Sequence, residues 1–142
     1  MIRFLYMLKR RKDLSVEAFR EHWFDTHAPL VRRLAPALKI HRYVQTYPVD
    51  GTLASRLRSW RGLTEKEGYD GVAELWWRSM ADMRGDSAEA REASALLLND
   101  ERRFLDLAAC SLVIGEDREV ISTIADRPQE DGTAETGPRR VF

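Results

Sequence analysis

The chain has 142 residues, with 23 basic and 23 acidic side chains, three histidines and one cysteine. That describes one domain large enough for a core, with no net field to draw nucleic acid or an anionic membrane and no internal disulfide framework. The N-terminal run sets its basic cluster after a short apolar stretch, the reverse of a secretory leader, and nothing approaches the ~20 apolar residues of a membrane span, so a cytoplasmic protein is expected.

Ile2 to Leu8 predicts a strand. Ile2, Phe4, Tyr6 and Leu8 share one face, Leu5 and Met7 the other, and both faces need cover. Lys9 to Asp13 is a charged, solvated turn. Ser15 then caps a helix: its hydroxyl can accept a free N–H of the first turn, and Glu17 suits the positive end of the helix dipole. Val16, Phe19, Trp23, Leu30 and Leu34 recur along one side at helical spacings, and His27 falls on that side one turn after Trp23. On a regular α-helix His22 and His27 stand roughly 140° apart, so His22 and Asp25 are expected to point elsewhere, His22 at the surface. A break near His27-Ala28 precedes Pro29, which suits a first turn, and Pro36 is expected to end the helix.

Ile40 to Tyr47, rich in β-branched and aromatic residues, predicts a second strand, closed by Pro48-Val-Asp-Gly51. Leu53, Leu57 and Trp60 suggest a short amphipathic helix beside Arg56, Arg58 and Arg61, for which covering a cleft is one use. Gly71 to Trp77 predicts a third strand, apolar on both faces apart from Glu74. Ser79 to Arg84 gives about one turn, broken at Gly85, and Ser87 caps a longer helix through Glu101 with Ala90, Ala93, Leu96 and Leu97 as inner positions. A fourth strand lies near Ser111 to Ile114. Cys110 before it reads as a packed small hydrophobe. Val120 to Ile124 extends or flanks that strand. The domain spans residues 1–122, and residues 123–142 form a polar tail whose Val141-Phe142 end could dock on a partner.

The order β-α-β-(short helix)-β-α-β is the ferredoxin-like pattern: α+β, with a four-stranded antiparallel sheet and helices on one face. That layout leaves the other sheet face bare, and the apolar residues on it predict a homodimer.

The run Glu17-Ala-Phe-Arg-Glu-His-Trp-Phe-Asp-Thr-His-Ala-Pro-Leu-Val31 resembles the EthD-like branch of the dimeric α+β barrel superfamily. Arg42-Tyr-Val-Gln45 matches that family's second strand and Tyr69-Asp-Gly-Val-Ala-Glu-Leu-Trp76 its third. Asn99-Asp100-Glu101, with Phe104 and Asp106, matches the end of its second long helix. The segment around Leu53 to Arg61 and the tail lie outside the match. The resemblance implies two sheets facing each other as a barrel and, in each subunit, a cleft between sheet and helices for small aromatic or polyketide-like molecules. Chemistries known in the superfamily include cyclisation, dehydration, isomerisation and cofactor-free oxygenation, alongside heme-handling and unassigned members. Fold alone does not choose among them.

Among the side chains, His27 is the first candidate, because an imidazole in such a cleft can move protons near neutral pH; otherwise it bonds a backbone carbonyl and positions the loop. Glu74, alone in an apolar strand, is a second acid/base candidate; otherwise it pairs with Arg42 or across a dimer. Tyr6 can donate to a carbonyl or developing enolate, and Tyr43 likewise. Trp23, Tyr43 and Trp76 are candidate walls for an aromatic ligand, unless they are simply core. No phosphate-binding glycine loop or nucleophile elbow is present, and the dispersed histidines do not spell a metal motif. The reading is a cofactor-free, metal-free acid/base enzyme of cyclase, dehydratase or isomerase type. A cofactor-free monooxygenase and a non-catalytic dimeric binding protein are the alternatives.

Overall fold

The computed structural model describes residues 1–64 and 68–124. Four strands, β1 (Ile2–Leu8), β2 (Arg42–Thr46), β3 (Gly71–Trp77) and β4 (Ser111–Glu116), form one antiparallel sheet in the order β2-β3-β1-β4. Helices α1 (Val16–Glu21), α2 (Ala28–Leu38) and α5 (Ala88–Phe104) follow the ferredoxin-like order, with α3 (Gly51–Arg61) and the short α4 (Met80–Arg84) between strands. The tail lies outside the described residues from residue 125 onward. No helix among the described residues is long and apolar enough to cross a membrane.

Strand alternation sorts the sheet residues. Phe4 pairs with Leu75 and Ile114, and Tyr6 with Ala73 and Leu112, on the helix-covered face. Arg3 pairs with Trp76, and Leu5 with Glu74, on the far face. The core forms where α1 and the end of α5 press on the covered face: Leu8, Phe19, Trp23, Ala73, Phe104 and Leu105 are all buried. Gly71 permits this closeness, since a Cβ there would sit 2.5 Å from Cζ3 of Trp23.

The caps act as their sequence predicts. Ser15 accepts from the Ala18 N–H at 3.0 Å and Ser87 from the Ala90 N–H at 3.0 Å. Pro36 does not end α2, which runs to Leu38; Lys39, at φ 55°, closes it by donating its N–H to Ala35 and Pro36. The buried stripe of α5 is Ala90, Ala93, Asp100 and Phe104, with Leu97 half-buried; Leu96, expected inside, is exposed. No regular structure continues β4 through Val120 to Ile124. Helix α3 buries none of its residues, and Trp60 is 80% exposed with the Arg61 guanidinium over its ring.

Candidate functional site

Between the covered sheet face and α2 and α5 lies a cavity of about 280 Å³. Phe4, Tyr6 and Leu75 rise from the sheet, and Trp23, His27, Val31, Glu101 and Phe104 close over them. None of the described α3 residues lines it.

The chain between α1 and α2 is not a break but a π-helical turn, His22–His27, in which the Ala28 N–H donates to the Trp23 carbonyl five residues back. Pro29 supplies the cause: it has no N–H for the Asp25 carbonyl, and its ring would clash with that oxygen in an α-helix. Widening the turn relieves both, and i→i+5 bonding sets residues five apart beside one another. His22 and His27 therefore stand on the same side, against the expectation for a regular helix. His27 Nδ1 lies 2.7 Å from Asp100 Oδ2, and His22 Nε2 lies 3.1 Å from Oδ1 and 3.2 Å from Oδ2. One carboxylate, 6% exposed, thus receives two imidazoles. Phe104 supports both rings, at 4.8 Å from His22 and 5.0 Å from His27 between centroids.

Burial holds His27 below the ordinary histidine value, outweighing the upward pull of Asp100, and His22 pushes in the same downward direction as burial. The ring is therefore neutral at neutral pH. A carboxylate can only accept, which puts the ring proton on Nδ1 and leaves the lone pair on Nε2 of a side chain that lines the cavity. A neutral, oriented imidazole at an apolar wall is a proton acceptor in waiting.

Tyr6 reaches the cavity from β1 and hydrogen-bonds the Glu101 carboxyl group; burial pushes both groups upward. Tyr43 lines the wall from β2, and its hydroxyl accepts from Gln45 Nε2 at 3.0 Å. Burial pushes that phenol up to about 12, so it remains a neutral phenol. Trp23 packs between Phe19 and Tyr47 and lines the cavity as well.

Glu74 and Trp76 are not brought to this place; both lie on the far face of the sheet. Glu74 pairs with Arg3 at 2.8 Å, not with Arg42, and accepts from the Thr46 hydroxyl at 3.2 Å. Arg42 instead lies over the Trp76 ring, at 4.6 Å, with Arg3 at 4.8 Å. Cys110 is half-buried and donates to the Asp106 carbonyl at 3.3 Å; burial raises its thiol value, which suits packing and not nucleophilic attack. Sequence reasoning missed three residues of the site: His22, Asp100 and Glu101. A signal for Asp100 was present, because it sits in register with Ala90, Ala93, Leu97 and Phe104 on the buried stripe of α5.

The EthD domain family matches residues 11–108. Among curated proteins none matches the chain. An ethyl tert-butyl ether D (EthD) family protein of Bacillus halodurans is similar in structure, with a TM-score of 0.55 and 22% identity, covering 83% of this chain and 99% of that one. An Arabidopsis thaliana protein gives a TM-score of 0.53 at 14% identity, covering 86% and 100%. A dimeric protein of unknown function and ferredoxin-like fold from Bacteroides fragilis gives 0.51 at 11% identity, covering 82% and 95%.

Proposed function

The chain belongs to the EthD domain family, and from that premise we propose that it is a cofactor-free enzyme acting by proton transfer on a small aromatic or polyketide-like molecule. Its chemistry in this reading is of the cyclase, dehydratase or isomerase type. The observation that carries the reading is His27: a neutral imidazole, braced by a buried carboxylate, facing an otherwise mainly apolar cavity. His27 Nε2 takes a proton from carbon beside a carbonyl, and Asp100 stabilises the imidazolium that forms. Tyr43 supplies a neutral phenol on the sheet side of the same cavity, Tyr6 holds Glu101 beside it, and Trp23 offers a wall for a flat ring.

The probe for this reading is 2-tetralone in deuterated buffer under argon, with binding followed by tryptophan fluorescence and exchange beside the carbonyl by NMR. The expected result is saturable binding, and exchange faster than free imidazole gives at equal concentration. Binding without such acceleration would defeat the acid/base reading. No binding of 2-tetralone or of single-ring ketones would defeat the small-hydrophobe reading.

In the same reading the protein is a homodimer, with the far faces of two sheets covering each other. Leu5, Met7, Val44 and Val72 on that face are incompletely covered within one chain, which is what a contact between sheets needs. Light scattering is expected to give twice the 16.4 kDa of one chain; a single-chain mass at micromolar concentration would overturn the pairing.

A further inference from the structure

We infer that the cavity is two-ended: Glu101, held by Tyr6, hands a proton to an oxygen of the bound molecule while His27 removes one from its carbon, and the molecule is an uncharged carbonyl compound of one or two rings. This rests on the proposed role of His27 and adds a second group and a substrate class to it.

Asp100 and Glu101 are consecutive on α5, so their side chains leave the helix about 100° apart. Asp100 stands behind the imidazoles, and Glu101 lines the cavity itself. The groups around Glu101 are Tyr6 from β1, Tyr43 from β2, Asp100 from its own helix, and Cys110 just before β4. None of these is a cation, and no lysine or arginine is among the described residues lining the cavity. A buried carboxyl with no cation beside it favours its protonated form. Tyr6 can still donate to one oxygen of that neutral carboxyl, which frees the O–H on the other for a ligand. The same lack of cations makes the cavity a poor host for a carboxylate, a sulfate or a phosphate. Size narrows the class further. A cavity of about 150 Å³ takes benzene, and this one of about 280 Å³ has room for one or two rings.

The step balances without an oxidant or a cofactor. The C–H electron pair becomes the C=C bond as the proton passes to His27 Nε2, while the carbonyl π pair takes the Glu101 proton and becomes O–H. The product is the enol. In either completion the enol O–H proton returns to Glu101 as the carbonyl re-forms. In an isomerisation the C=C pair of a conjugated enol takes the His27 proton at another carbon. In a dehydration it expels a β-hydroxyl, which takes the His27 proton and leaves with its C–O electron pair as water.

The test is E101Q alongside wild type, with the 2-tetralone exchange assay and binding of 2-naphthol and 2-naphthoate. E101Q is expected to slow exchange about tenfold or more, with ketone binding changed less than about threefold. Its pH–rate profile is expected to lose the fall toward high pH, since only the need for a neutral imidazole remains. A merely structural role would leave that limb in place. Uncharged 2-naphthol is expected to bind at least about tenfold more tightly than anionic 2-naphthoate. Unchanged exchange in E101Q, with exchange still dependent on His27, would overturn the role of Glu101 while sparing that of His27. Loss of dependence on both would overturn the acid/base reading as a whole. Equal or tighter binding of 2-naphthoate would overturn the uncharged class. Should E101Q not fold, carboxyl NMR of wild type labelled at glutamate decides: a group at Glu101 titrating at the ordinary 4.5 would overturn the proposal.

Discussion

Replacing His27 by alanine is expected to slow ketone exchange by two to four orders of magnitude, the range that a positioned proton-transfer group contributes. The size follows from how the ring is held. The 2.7 Å contact from Nδ1 to Asp100 fixes the tautomer, and burial keeps the ring in its basic form at neutral pH. In wild type the rate is expected to fall as pH drops through the value of His27, which lies below 6.5, and the variant should lack that acid limb. Folding carries the same sign. The unfolded imidazole takes its proton near 6.5 and the folded one only at lower pH, so the unfolded chain binds more protons in between and stability falls as pH drops. Urea titrations at several pH values should therefore show a flatter acid slope for His27→Ala. A variant retaining exchange within about threefold would remove His27 from the chemistry.

Phe104→Ala is expected to cost about 3–5 kcal/mol of stability, the range for a large aromatic ring removed from a packed core. Its residue is only 1% exposed, and its ring meets Phe19, His22 and His27 at once. A cavity there would also let both imidazoles turn, so exchange should drop even under conditions where the variant is fully folded. The urea midpoint reads the first effect, and the exchange assay well below that midpoint reads the second. A stability loss under about 1 kcal/mol would show that the surroundings collapse around the missing ring.

Much of this arrangement is legible in the letters. β1 and β3 run from end to end where runs apolar on both faces predict them, and Ser15 and Ser87 cap where a hydroxyl meets a first turn. His27 also faces the cavity that its place beside Trp23 suggests. What the letters hid was periodicity. Projection at 3.6 residues per turn sends His22 to the surface, and only the wide turn before Pro29 returns it to Asp100. Asp100 was obscured differently: a carboxylate on an apolar stripe looks like the polar edge of a helix until a partner appears across from it. Glu74 shows the converse. Alone in an apolar strand it stands out, yet alternation turns it to the far face, where Arg3 is waiting on the neighbouring strand. Pro36 failed as a stop because only two residues of helix follow it, and the left-handed Lys39 satisfies the carbonyls of Ala35 and Pro36.

The π-helical turn makes the site depend on a residue outside it. Its hydrogen bonds close over five residues where an α-helix needs four, and Pro29 is what requires that width, so Pro29→Ala would let a regular helix run through His22–His27. Every residue named in the site would survive that substitution. The two histidines would nevertheless part around the helix axis, about 140° from each other, and Asp100 would keep one of them at most. In an alignment of related genes, loss of the proline at this point therefore carries more meaning than a substitution at either histidine's neighbours.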